Sequence, residues 1–298
     1  MTFDELVIVT VNGISFGFLL FLVAVGLSLV FGVMGILNLA HGAFFMLGAY
    51  LAYEFGGAAA LSLPLFILVM IGSGLVTAAI AAVLEAALFR RIYYREHLEI
   101  LVFAFALIFV AEGAVRLQWG PNPLIMSYPE GFASSVSIFG APVPEWSLLI
   151  IVAGLVILAG LAFLLFRTRI GYVIRAVAED SHMAGALGLN VGLVFTGVFA
   201  LGALLAAIGG SLVAPTLALT PQLGLLFLVQ AFAVVVVGGL DSIPGSLVAA
   251  IILGLANSFL VFTFSGWAPY SFYLGLIVVL LLRPQGILGS RELTKQVG

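Results

Sequence analysis

The sequence predicts an all-α, polytopic membrane bundle, and three observations carry that expectation. Hydrophobic residues make up 64% of the 298-residue chain and charged residues only 8%. A soluble domain carries about 25% charged residues, so this composition could not clothe a water-facing surface. The apolar residues fall into runs that approach the ~20 residues a helix needs to cross the hydrocarbon core. Lysine and arginine collect in alternate connections between those runs, as expected of a chain threaded back and forth with one basic side.

The spans in chain order are 7–31, 36–53, 63–89, 100–118, 147–166, 193–214, 225–240, 246–264 and 270–282, giving eight or nine membrane segments in one transmembrane domain, residues 1–298. The second is short and holds His41, Gly42 and Gly48, so it is read as a crossing or as a re-entrant segment. The seventh and ninth are also short. The N-terminus, Met1-Thr2-Phe3-Asp4-Glu5, lacks the basic region of a cleaved signal peptide, so the first span is expected to remain in the protein. The 35 glycines suit a bundle whose helices approach closely at small residues.

Orientation follows from the basic residues. Arg90, Arg91 and Arg95 lie between the third and fourth spans, Arg167, Arg169 and Arg175 between the fifth and sixth, and Arg283, Arg291 and Lys295 after the last. All three clusters share one side if nine spans alternate, which makes that side and the C-terminus cytoplasmic. Segment 119–146 has no Lys or Arg but carries Glu130 and Glu145, and is expected outside. The N-terminus is external with nine spans and internal if the second is re-entrant. A faint internal echo links Gly35-Ile-Leu-Asn-Leu-Ala-His-Gly42 with Gly238-Gly-Leu-Asp-Ser-Ile-Pro-Gly245. Each sets two glycines seven apart at a cytoplasmic helix end, and duplicated halves are common in transporters.

Several chemistries are excluded. The chain has no cysteine, hence no disulfide, thiol nucleophile or thiolate metal site. Lys295 is its single lysine, so no G-x-x-x-x-G-K-[ST] phosphate loop exists. No H-E-x-x-H occurs, and His41, His97 and His182 are far apart, which gives no support to a metal or haem site. The one G-x-S-x-G match, Gly13–Gly17, lies inside the first apolar span and lacks the strand-to-helix turn that would expose its serine as a nucleophile. A net charge of −3 argues against nucleic acid as a partner. Neither an enzyme nor a cofactor is expected.

Polar groups inside spans are the remaining candidates, because each is costly in lipid. Glu112 and Arg116 are four apart and can pair on one helix face; this reads first as a structural pair near the outer interface. Glu85 is expected to snorkel near the inner interface beside Arg90. Gln230 and Asn257 lie deeper, as helix-to-helix glue or as pathway contacts. Asn38-Leu-Ala-His41-Gly42 interrupts an apolar run where broken backbone could line a cavity. The longest hydrophilic stretch on the basic side, Arg167–Asn190, contains a helix-like piece over 172–187. Arg175 and Glu179 form an i,i+4 pair there, Asp180 follows, and Gly185 and Gly188 end the segment. Such a helix can dock in a partner's groove or lie on the membrane surface.

These residues also carry a resemblance. GVMGILNLAHGAFFMLGAY (Gly32–Tyr50), GYVIRAVAEDSHMAGALGLNV (Gly171–Val191), VVVGGLDSIPGSLVAAIILGLANS (Val235–Ser258) and LRPQGILG (Leu282–Gly289) resemble, in family order, the LivH-type inner-membrane permeases for branched-chain amino acids of ATP-binding-cassette (ABC) importers. The resemblance implies a multi-pass permease of the cell inner membrane with a second, LivM-type permease, two ATP-binding subunits and a periplasmic substrate-binding protein as partners. It implies that Arg175, Glu179, Asp180 and Gly188 sit on the ATPase-coupling segment, about 167–190. Asn38, His41, Gly42, Gln230 and Asn257 are the candidate substrate-pathway residues. Permeases for urea and short amides look similar, and an ATP-independent channel or secondary carrier is the rival outside the family. The paucity of buried acidic residues speaks against ion coupling in that rival.

Overall fold

Helix boundaries in the computed structural model follow capping chemistry. The structure describes residues 1–93, 95–264, 266, 270–283 and 285–289; Arg291 and Lys295 lie outside them. Helix α1 (Phe3–Met34) starts at a capping box in which Thr2 and Glu5 satisfy each other's backbone N–H groups. It stops at Gly35, whose left-handed φ of 67° a side chain would disfavour. Helices α2 (His41–Gly56) and α3 (Leu63–Leu84) follow, and α3 continues through a π turn, Glu85–Phe89, into the short α4 (Arg90–Ile92). Helix α5 (His97–Trp119) leads to a hairpin, β1 (Ser135–Ile138) and β2 (Ala141–Pro144), and α6 (Glu145–Arg167) leads to the pair α7 (Arg169–Glu179) and α8 (Ser181–Ala186). Helices α9 (Val191–Val213), α10 (Leu223–Gly238), α11 (Ile243–Thr263) and α12 (Ser271–Leu282) complete the bundle.

Six of these segments are long and apolar enough to cross a membrane: α1, α3 with its extension, α5, α6, α9 and α11. The second, seventh and ninth expected spans are the ones that fall short of that length. At 1.5 Å per residue, the 16 residues of α2 rise about 24 Å, short of a ~30 Å hydrocarbon core; α10 and α12 are short for the same reason.

Connections sort onto two faces. The start of α1 meets β2, with Asp4 near Gly140. The chain after α2 accepts hydrogen bonds at Ala58 and Leu61 from Ser127 and Glu130, and Leu124 bridges Leu219 ahead of α10. This is the hairpin face. On the opposite face the end of α1 borders Val177–Ser181 and Asp241, and Arg90 bonds the Gly192 carbonyl. Ile287 and Leu288 donate backbone N–H groups to Val237 and Gly238, closing the end of α10. Arg90, Arg167, Arg169, Arg175 and Arg283 attach to this arginine face.

Small residues set the packing. α1 lies most closely against α11, where a Cβ on Gly254 would stand 2.5 Å from the Gly13 carbonyl oxygen. α2 presses equally hard on α9: a Cβ on Gly48 would meet Ala207 backbone at 2.3 Å, and one on Gly210 the Phe45 carbonyl oxygen at 2.0 Å. Ser211 is bonded to Ser73 at 2.8 Å and to the Gly48 carbonyl at 3.2 Å, joining α9, α3 and α2. The second span is therefore a largely buried inner helix with α9, α3, α10 and α5 around it.

Candidate functional site

The most built-up feature of the arginine face is the elbow formed by α7 and α8. Thr168 ends α6 and caps α7, its hydroxyl accepting from the Gly171 N–H at 3.2 Å. Gly171 is obligatory here, since a Cβ would lie 2.3 Å from the Leu164 and Leu165 carbonyl oxygens. α7 buries Gly171, Ile174 and Val177 and turns its polar side outward. Asp180 breaks the segment, capping α8 through the Met183 N–H at 2.8 Å. The single helix expected over 172–187 is thus two, because the Asp180 side chain competes for backbone donors. Gly188, at a φ of 89°, reverses the chain into α9, whose first turn Asn190 caps.

Arg175 and Glu179 do not pair; no ion pair within 4 Å joins them among the described residues. The guanidinium lies instead over the rings of Tyr172 (4.7 Å) and Phe166 (5.3 Å), a cation–π stack that braces α7 against α6. Glu179 and Asp180 are exposed and border an open depression with Ser181, the Gly32–Gly35 end of α1 and Asp241. Exposed Ile170, Met183 and Leu187 add apolar surface to the elbow. The four coupling candidates, Arg175, Glu179, Asp180 and Gly188, therefore share one structural unit.

Glu85 does not snorkel. It is fully buried in the π turn, a feature often found at functional sites. Its carboxylate accepts from the Tyr93 hydroxyl at 2.6 Å, from Arg90 Nη2 at 3.3 Å and from the Thr196 hydroxyl. Arg90 also reaches the Gly192 carbonyl at 3.1 Å and Thr196 Oγ1 at 2.7 Å. Burial, reinforced by the carboxylate it bonds, pushes the Tyr93 hydroxyl up from its ordinary range, so Tyr93 stays a donor. This node ties the end of α3 to the first turns of α9, immediately after the elbow.

The pathway candidates separate into two groups. Asn38 and His41 are fully buried at the break between α1 and α2. Asn38 Oδ1 accepts from the Ala40 N–H at 3.1 Å, whereas Asn38 Nδ2 and both His41 ring nitrogens lack a well-formed hydrogen bond. His41 packs between Gly26 and Gly202, and Gly42 lets α2 touch α10 at Gly224. Asn257 accepts from the Ser271 hydroxyl at 3.0 Å and joins α11 to α12. Gln230 differs: it lines an open groove of about 450 Å³ between α10 and α12, with Gln222, Leu225, Val229, Phe272 and Tyr273. Its Oε1 is buried without a hydrogen bond.

Two parts of this arrangement escape the sequence reading. Gln222 has its signal in the i, i+4, i+8 spacing of Gln222, Leu226 and Gln230 on one face. Thr196 and Tyr93, which complete the Glu85 node, have none, because the π turn that aims the carboxylate follows no sequence period.

Residues 9–282 match the family described as "Branched-chain amino acid transport system / permease component". The high-affinity branched-chain amino acid transport system permease protein BraD of Pseudomonas aeruginosa is 31% identical, with 96% of each chain covered. The corresponding permease protein LivH of Escherichia coli K12 is 29% identical over 95% of this chain and 96% of its own. The probable branched-chain amino acid transport permease protein LivH of Methanocaldococcus jannaschii is 28% identical over 93% and 91%.

Proposed function

Since the chain belongs to the family of branched-chain amino acid transport permeases, we propose that it is the membrane-spanning subunit of an ABC importer, moving branched-chain amino acids across the inner membrane while separate subunits hydrolyse ATP. One observation carries the reading: the elbow of α7 and α8 on the arginine face, with exposed Glu179 and Asp180 and the apolar Met183 and Leu187. A chain without a phosphate-binding lysine has no phosphate loop of its own, and this elbow is a handle for an outside motor. Two ATPase subunits dock beneath it, a LivM-type permease pairs alongside, and a periplasmic binding protein delivers the solute to the hairpin face. The basic residues favour a cytoplasmic arginine face.

In this reading α2, α10 and α12 also cross, giving nine segments, with the short helices sheltered by longer neighbours. Gln230 lies on the solute path, and Asn257 holds α12 in place beside it. The break at Asn38, His41 and Gly42 is where α2 shifts when the bundle changes between outward-open and inward-open states. ATP drives that change only if its binding favours one state of the assembly. The coupling segment carries the closure of the ATPase pair to α9, and the Glu85 node passes it to α3.

Association tests this directly. The double variant Glu179→Lys with Leu187→Asp is expected to lose at least tenfold in co-purifying ATPase subunits, with its own gel-filtration profile unchanged. Wild-type recovery of the ATPases would overturn the coupling assignment.

A further inference from the structure

Beside the outer end of the Gln230 groove stands a charged pair that the reading above leaves unused. Glu112 and Arg116 lie one turn apart near the hairpin-face end of α5, and Arg116 Nη2 donates to Glu112 Oε1 at 2.6 Å. Gln222 Nε2 donates to the same oxygen at 3.4 Å. Gln222 is also the first residue of the groove's stripe, Gln222, Leu226 and Gln230, along α10. Gln230 stands two turns deeper, about 12 Å along the helix.

Both charges are half-used. Among the described residues, Glu112 Oε2 and the remaining N–H groups of Arg116 make no hydrogen bond. The Arg116 side chain is 47% exposed and that of Glu112 16%. A carboxylate and a guanidinium thus stand side by side, joined through Gln222 to the outer end of a groove walled by Leu225, Val229 and Phe272. The groove's size falls in the ~300–1,000 Å³ range of small-molecule sites.

We propose that Glu112 and Arg116 form a receiving site for a zwitterionic amino acid with an apolar side chain. The free ammonium–carboxylate pair of such a solute matches the protein pair with the signs exchanged. Glu112 Oε2 accepts from the ammonium, and the Arg116 fork holds the carboxylate, the geometry guanidinium groups favour. The apolar side chain lies against Leu225, Val229 and Phe272, and Gln230 meets the head group further in. The proposal rests on the permease reading and adds to it the residues that receive the solute at the entrance. Urea and uncharged short amides lack the paired charges and would not gain from this site.

The test uses the complete importer in proteoliposomes, with its binding protein outside, ATP within reach of the ATPases and radiolabelled leucine as probe. Glu112→Gln and Arg116→Gln are each expected to lower leucine uptake at least tenfold, while binding-protein-stimulated ATP hydrolysis stays within twofold. The exchange variant Glu112→Arg with Arg116→Glu keeps an ion pair on α5, so a merely structural role would leave uptake intact; the proposal expects it to stay at least tenfold down. Uptake within twofold of wild type in both single variants, or wild-type uptake in the exchange variant, would overturn the proposal. Failure of the wild-type importer to take up leucine would instead overturn the permease reading beneath it.

Discussion

Gly210→Val is expected to leave no folded bundle. The glycine lies where α9 crosses α2, and the first carbon of any side chain would stand 2.0 Å from the Phe45 carbonyl oxygen and 3.0 Å from the Ala49 nitrogen. Both atoms are backbone in an inner helix, so neither can swing aside as a side chain would. α2 cannot retreat either, because Gly42 holds it against Gly224 of α10 and Gly48 holds it against Ala207. Overpacking costs about 1–3 kcal/mol even where neighbours adjust; here the upper end of that range is the minimum. Against a total stability of roughly 5–15 kcal/mol, the loss shows as a missing monodisperse peak after detergent extraction. Gly160→Val, at a position facing open space, serves as control and is expected to behave as wild type. Normal extraction of Gly210→Val would mean that α2 and α9 do not touch as described.

Glu85→Ala carries the second large effect. It removes the acceptor shared by the Tyr93 hydroxyl, the Thr196 hydroxyl and Arg90. Each buried donor left without its acceptor costs about 1–3 kcal/mol. Arg90 is half exposed and keeps the Gly192 carbonyl, and Thr196 keeps its own bond to that carbonyl at 2.9 Å, so the loss falls mainly on Tyr93 and totals about 3 kcal/mol. Glu85→Gln preserves the shape and still accepts from Tyr93, and is expected to lose about 1–2 kcal/mol. Thermal unfolding of the purified protein checks the ranking, wild type above Gln above Ala. If Ala melts with wild type, the node does not hold α3 to α9.

The helices were legible because the signals that make them are local. The span edges read from apolar runs fall within a few residues of α1, α3, α5, α6, α9 and α11, whose caps at Thr2, Asn190 and Ser242 are themselves readable. Burial was not legible in the same way. The run over 36–53 differs little in composition from its neighbours, yet it becomes an inner helix because Gly42, Gly48 and the facing Gly210 admit close contact, which only the partner helices reveal. The hairpin left a fainter trace: Val136 and Ile138 alternate with serines ahead of Phe139-Gly140, which turns with both φ values positive. Short strands beside a long apolar span are easily passed over.

Side-chain partnerships were the least legible. The four-residue spacing suggested an Arg175–Glu179 pair, but two aromatic rings on the preceding turns hold the guanidinium. Proximity to Arg90 suggested a snorkelling Glu85, but the π turn rotates that carboxylate inward toward Thr196, 111 residues further on. Asp180 and Gly188 are legible as local punctuation, whatever their role: one caps a helix and the other reverses the chain. Of the pathway candidates, Gln230 stands at an open groove, while Asn38 and His41 are shut inside the bundle in this conformation.

In the proposed function this bundle moves solute only when an outside motor drives it through the elbow. ATP-dependent leucine uptake, compared between proteoliposomes holding the full assembly and proteoliposomes holding this chain alone, measures it most directly. Concentrative uptake is expected with the assembly, its loss when ATP is withheld, and no flux above empty vesicles with the chain alone. Leucine flux through the chain alone, with no ATPase subunit present, would contradict it.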